Sequence, residues 1–199
     1  MTSSTAKPLP VFVITGQSGA GKGTLIKRIL ELFPELALAV SATTRARRPG
    51  EVDGVHYYFI SDEEFDRRLA DEDFLEYHVF PWGQRSGTLL SEIDRIGEQG
   101  KVCVLELETE GALNVAERVP GAVTIFITAP IEELERRLRE RDTESAGEIG
   151  ERLRVAREQL NVADRFDHIV ENDDLERAVN ELSGLVRRYA VPAATMRRQ

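Results

Sequence analysis

The sequence predicts a three-layer α/β sandwich built around a parallel core sheet. Three features carry that expectation. Residues 11–15 (VFVIT), 101–107 (KVCVLEL) and 123–127 (VTIFI) are short apolar runs rich in β-branched residues, the pattern of strands buried on both faces. Segments with apolar residues at helical spacing alternate with them, as in a parallel sheet covered by helices. Between the first strand and the first helix lies a glycine-rich stretch, residues 16–23, so the chain opens on half of a βαβ unit. A length of 199 residues fits a single domain.

Residues 1–10 read as a loose tail and 11–15 as the first strand. From Thr24 onward Leu25, Ile26, Ile29, Leu30 and Phe33 follow helical spacing until Pro34 stops the run. Residues 36–42 form a candidate strand, 43–54 a basic, glycine-bearing loop, and 55–60 (VHYYFI) another strand. Ser61 followed by Glu64 is a capping-box pattern for a helix reaching about Asp71. Residues 74–80 alternate weakly and suit a strand. A turn at Ser86–Gly87 leads to a helix over 89–98, and the buried strands 101–107 and 123–127 follow. Leu134 and Leu138 mark a helix over 131–141, residues 142–147 a loop, and Ile149, Leu153, Ala156 and Leu160 a second helix face. A short strand at 168–170 and a helix over 175–189 complete the domain at about residue 190, and 191–199 is a second tail. The stretch from about 41 to 90 is richer in strand and loop and reads as an inserted subdomain. The core then comprises 11–40, 91–130 and 160–190.

Composition narrows the class. The chain is 41% hydrophobic and 31% charged, which excludes a wholly disordered chain or a fibrous repeat. Lys and Arg number 26 against 35 Asp and Glu, a net charge of −9, so neither a nucleic-acid polymer nor an anionic membrane is an expected partner. The longest apolar stretch, near 119–131, is interrupted by Pro120, Gly121 and Pro130 and is no membrane span. The first ten residues lack a signal-peptide pattern, and Cys103 is the single cysteine, which excludes an intrachain disulfide or a multi-cysteine metal site. A cytoplasmic location is the default expectation. Arginine is nonetheless dense at 45–48, 136–141 and 152–157. An anionic ligand would have to be held by these local clusters against the global field.

Gly16-Gln17-Ser18-Gly19-Ala20-Gly21-Lys22 fits G-x-x-x-x-G-K between a strand and a helix. Glycines let backbone N–H groups turn toward phosphate oxygens, the helix N-terminus adds its dipole, and Lys22 supplies a mobile cation for terminal phosphates. The pattern usually closes on Ser or Thr to ligate Mg²⁺. Here Gly23 stands in that place and Thr24, with its hydroxyl, follows.

Ser41, Arg45, Arg48, Glu51, Gly54 and Tyr57 then form a second constellation. Two guanidiniums can each grip a phosphate in a fork, and a phenol adds a donor. Together with the glycine loop, Glu76, the arginines of 136–157 and the Asn172-Asp-Asp-Leu stretch, this constellation resembles the guanylate kinase family over about residues 11–186. The resemblance implies a P-loop fold with a GMP-binding subdomain at about 41–90 and a helical lid at about 131–159. It implies transfer of a phosphoryl group from ATP to GMP with Mg²⁺. In that reading residues Gly16 to Thr24 and Asn172 bind ATP, Asn172 near the adenine. Arg45, Arg48 and Tyr57 hold the GMP phosphate, Ser41 and Glu76 touch guanine, and Thr88 meets the guanine carbonyl. Glu51 belongs to the same GMP site. The catalytic set is Lys22, Arg45, Arg137, Arg141 and Arg152, the lid arginines closing over the ATP phosphates.

The chemistry of Glu76 agrees with that implication. Guanine's pairing edge presents two donors, a carboxylate is acceptor-only, and adenine presents an acceptor where guanine has a ring N–H. Two departures stand out. Arg85 and Ser86 occupy the places where the family has two tyrosines before Gly-Thr, leaving Arg85 or Ser86 to replace the phosphate contact. Glu106 and Glu108, at the end of a buried strand, stand where the family has aspartates, and are assigned to the GMP side with direct or water-mediated metal contact left open. No protein-held metal site is expected, and the choice between monomer and homodimer stays open. A P-loop kinase for another small acceptor and a non-catalytic phosphopeptide-binding module are the rival readings.

Overall fold

The computed structural model describes residues 10–80, 82–140 and 146–190. Five parallel strands, β1 (Val11–Gly16), β2 (Leu36–Leu38), β7 (Val102–Glu106), β8 (Val123–Thr128) and β9 (His168–Glu171), are ordered β2-β7-β1-β8-β9. Around them the chain forms helices α1 (Lys22–Leu32), α3 (Leu90–Glu98), α4 (Thr109–Arg118), α5 (Ile131–Glu140), α6 (Ala146–Leu160) and α7 (Leu175–Tyr189). Alternation along β1 explains the two cores. Phe12 and Ile14 join Leu25, Ile29, Leu134, Leu153, Val179 and Leu182 on one face, while Val11 and Val13 meet Ile96, Ala112, Val115 and Phe166 on the other. Each large side chain fully buried there stabilises the fold by about 1.5–3 kcal/mol.

A second sheet, ordered β4-β3-β6-β5, is built from β3 (Ala42–Thr43), β4 (Tyr58–Phe59), β5 (Phe74–Val79) and β6 (Arg85–Leu89). Helix α2 (Asp62–Ala70) covers it through Phe65, which stacks on Phe74 at 4.5 Å. The Ser61 hydroxyl caps α2 by accepting the Glu64 N–H at 3.2 Å, as the capping pattern requires.

The strand expected over 36–42 is two strands in two sheets. After Ala39 the Val40 N–H is taken by the buried Glu92 carboxylate at 2.8 Å, so the ladder ends and the chain crosses over. Glu92 also accepts the Tyr58 hydroxyl at 2.8 Å and two bonds from Arg95, which fixes the crossing. The strand expected over 55–60 shrinks to Tyr58–Phe59, because Gly54 N–H turns back to Tyr57 C=O and Val52 N–H to the His56 ring. Ser86 and Gly87 lie inside β6, and the reversal falls earlier, where Phe80 N–H meets Gln84 C=O at 2.8 Å. Helix α4 is absent from the sequence expectation, since its buried face is only Gly111, Ala112 and Val115. Gly147 belongs to α6 rather than a loop.

Parallel register sets the working edge. Ile14 pairs with Glu106, so the carboxyl end of β7 lies beside the point where β1 runs into the glycine loop. Ligand clefts of open α/β sheets form at this edge.

Candidate active site

The glycine loop bridges β1 and α1. The Lys22 ammonium donates to Gly16 C=O at 2.9 Å and to Gln17 C=O at 3.3 Å. Burial lowers its pKa, and Glu108 and Glu106 nearby oppose that shift. Gly23 and Thr24 lie exposed in the first turn of α1. Gln17 is 2% exposed, and its side chain serves the scaffold. Its amide donates to Ala156 C=O at 3.0 Å, while its oxygen accepts the Thr128 hydroxyl at 2.6 Å and the Ala129 N–H at 3.0 Å. Ser18 N–H donates to the Gln159 side chain at 2.9 Å, and the Ser18 hydroxyl accepts from Arg152 at 3.1 Å.

Between the two sheets opens a cleft of about 200 Å³ whose lining includes Lys22, Ser41, Tyr57, Glu76, Ser86 and Glu106. Glu108, His56, His78 and Phe80 complete much of the wall. Glu76 is 8% exposed and accepts the Thr88 backbone N–H at 3.0 Å. Burial raises its pKa, and the Thr88 bonds hold it back toward the ionised form. Its other oxygen packs against Gly111 of α4. A Cβ at Gly111 would stand 2.6 Å from that oxygen, so only glycine leaves the carboxylate its place. Crowding by the cleft walls raises the Glu106 pKa, and Lys22 opposes that.

On the far side the loop after β3 carries the basic grip. Arg45 meets Glu51 in a fork, 2.7 and 3.0 Å, and lies over the Tyr57 and Phe59 rings. Glu51 also accepts the Arg48 backbone N–H at 2.7 Å, and these hydrogen bonds pull its pKa down to about 2. Burial raises the Tyr57 pKa, so its hydroxyl keeps its proton as a donor. The Arg48 side chain is exposed beside this latch. One cleft therefore presents the glycine-loop lysine, the Glu76 carboxylate and the Tyr57 hydroxyl, and the Arg45 guanidinium adjoins it over the Tyr57 ring.

A family model described as guanylate kinase matches residues 8–189. The chain belongs to the guanylate kinase family. It is 46% identical over 177 residues to a guanylate kinase of Synechococcus elongatus, covering 88% of this chain and 96% of that one. It is 45% identical over 179 residues to a guanylate kinase of Rubrobacter xylanophilus, covering 89% and 93%. The solved structure of guanylate kinase from Anaplasma phagocytophilum superposes with a TM-score of 0.72 at 27% identity, covering 92% of this chain and 86% of that one. A shikimate kinase from Bacteroides thetaiotaomicron, at 17% identity and a TM-score of 0.50, shares the fold.

Within this guanylate kinase fold several expected contacts are redirected. Arg85 leaves the cleft. It pairs with Asp62 at 2.8 Å and with Asp66, both on α2, and lies 4.6 Å over Phe65, because two carboxylates and a ring face outweigh a solvated alternative. Of the two residues that could take over the phosphate contact, Arg85 is thus engaged with α2. Ser86 keeps its place in the cleft wall, its hydroxyl donating to Ala42 C=O at 3.1 Å. Thr88 is 1% exposed and holds Glu76. Glu51 faces Arg45 and orients it. Only Glu106 lies on the buried strand, since β7 ends there and Glu108 is the N-cap residue of α4; both line the cleft.

Asn172 is 3% exposed against the glycine loop, and its amide donates to Ala20 C=O at 2.7 Å. Arg137 donates to Asn172 C=O at 2.8 Å, to Ala20 C=O at 3.3 Å and to Glu133 at 2.7 Å. Arg141 lies outside the described residues. Gln17, Gly111, His56, His78 and Phe80 were not singled out from sequence for the roles they have. The glycine three residues after Glu108, opposite a buried carboxylate, is the sole local signal among them.

Proposed function

We infer that this chain transfers the γ-phosphoryl group of ATP to GMP, giving ADP and GDP, with dGMP as a second acceptor. The observation that carries the reading is that Lys22 of the donor loop and Glu76 of the base site line one cavity with Ser41 and Tyr57. Phosphoryl transfer asks the protein for positioning and charge stabilisation rather than covalent chemistry. Lys22 neutralises the transferring group. Arg45, fixed by Glu51 and supported by Tyr57 and Arg48, grips the acceptor phosphate. No general base is needed, because that phosphate is already an anion. Glu76, held by Thr88, accepts the guanine N–H groups, while adenine would leave a buried carboxylate unpaired. Arg137 and Arg152, already bonded around the loop, are the lid cations that exclude water from the donor phosphates.

Among the described residues no cluster of three or more His, Cys, Asp or Glu could hold a metal on its own. Two cleft carboxylates beside a phosphate site suit a hard cation that takes most of its oxygens from substrate and water. Glu106 and Glu108 would hold Mg²⁺ there, directly or through water, and the ion would neutralise phosphate charge. No helix among the described residues is long and apolar enough to cross a membrane.

A coupled ADP-release assay across GMP, dGMP, AMP, CMP and UMP tests the reading. Turnover with GMP and dGMP and background rates with the other three are expected. Equal rates with AMP, or no turnover with GMP, overturn it.

A further inference from the structure

The resemblance puts Asn172 near the adenine of ATP, and its side chain is buried against the glycine loop. We propose that Asn172 is a positioning residue that aims the Gly21 N–H into the phosphate site by holding the preceding carbonyl. The proposal goes one step beyond the assignment of the glycine loop as donor site, on which it rests.

The geometry runs through one peptide plane. Asn172 Nδ2 donates to Ala20 C=O at 2.7 Å across 152 residues. Arg137 adds a longer bond to the same oxygen at 3.3 Å. In a trans peptide C=O and N–H point in opposite directions, and the chain has no cis bond among its described residues. Pulling the Ala20 oxygen outward therefore turns the Gly21 N–H inward. The Gly21 N–H, like that of Gly19, meets no backbone or side-chain acceptor among the described residues. It is a free donor at the N-terminus of α1, where an anion is favoured.

Two further facts make the arrangement specific. Asn172 is itself fixed on both sides, its N–H on Thr128 C=O at 2.8 Å and its C=O under Arg137 at 2.8 Å. Gly21 has φ 86°, a left-handed conformation, and a Cβ there would stand 2.7 Å from Asn172 Nδ2. Gly21 is thus required by its own backbone and by the neighbour that orients it. The amide orientation is decided as well, because the flipped form would set two oxygens against each other at 2.7 Å. Asn172 Oδ1 is buried without a hydrogen-bond partner, which marks the donor side as the one the fold uses.

The test separates phosphate orientation from adenine contact. Binding of ATP, inorganic tripolyphosphate and GMP is measured by titration calorimetry for the natural chain, Asn172→Ala and Asn172→Asp, with melting temperatures alongside. Both variants should weaken ATP and tripolyphosphate by the same factor, about tenfold for one misaimed donor to a charged ligand, and leave GMP unchanged. Asn172→Ala removes the donor without adding charge, so it must show the loss too. Loss of ATP affinity with tripolyphosphate unchanged would establish an adenine contact and overturn the proposal. Loss in Asn172→Asp alone would reduce it to charge repulsion, and parallel loss of GMP would reduce it to general damage. Tripolyphosphate carries no nucleoside, so this result stands or falls separately from the ATP and GMP assignment.

Discussion

Replacing Gly111 by alanine gives a sharp test, because its two effects have opposite signs. Gly111 sits in the first turn of α4 with ordinary helical backbone, so alanine there favours the helix by up to about 1 kcal/mol. The added Cβ, however, would lie 2.6 Å from the outer oxygen of Glu76. Restoring even a 3.0 Å contact moves that oxygen by at least about 0.4 Å away from α4. The Thr88 N–H bond to the other oxygen is already 3.0 Å long, so rotating the carboxylate stretches it toward the limit of a useful bond. A displacement of 1 Å costs about a hundredfold in rate, and roughly half that displacement corresponds to about a tenfold loss. Steady-state kinetics should therefore show kcat/KM for GMP about tenfold lower, KM for ATP unchanged, and a melting temperature equal to or above that of the natural chain. If kcat/KM for GMP stays within twofold in a folded variant, the fit of Glu76 against α4 does not govern base recognition.

Lys22→Ala should lower kcat by about a thousandfold or more, as loss of a preorganised charge does at a transferring phosphoryl group, while calorimetry still detects GMP at near-natural affinity. Arg85→Ala should leave KM for GMP unchanged and cost at most about 1 kcal/mol in denaturant unfolding, because its acidic partners are largely exposed; a large rise in KM would return Arg85 to the phosphate site. Lowering pH should depress kcat/KM for GMP as Glu76 takes up a proton, starting above the usual carboxylate range because burial raises that pKa. The sign for stability is the reverse, since a group with a raised folded-state pKa stabilises the fold below that pKa and loses its contribution as pH rises through it. The Arg45–Glu51 fork should persist through the same range, Glu51 having a pKa of about 2. A profile that is flat down to pH 4 would show that ionised Glu76 is not what reads the base.

Much of the core was legible because burial leaves a periodic trace. The continuous runs at β1, β7 and β8 and the helical spacing of α1 and α7 needed no partner to be recognised. The inserted sheet was harder. β3 and β4 are two residues each, too short for periodicity, and the end of β2 depends on Glu92 capturing the Val40 N–H from 52 residues away. Helix α4 buries small residues and so leaves a weak apolar signal.

For the site, sequence determined which chemistries were present: a glycine loop with a lysine, a carboxylate suited to guanine, arginines suited to phosphate. These follow from residue type and local spacing, which survive in any tertiary arrangement. Only the folded chain decided where each polar side chain points. Arg85 turns to α2, Gln17 binds Ala156 and Asn172 binds Ala20, partners 19, 139 and 152 residues distant in sequence. A hydrogen bond forms with whichever acceptor the fold brings within about 3 Å, and that proximity is a property of the packing, not of the local sequence.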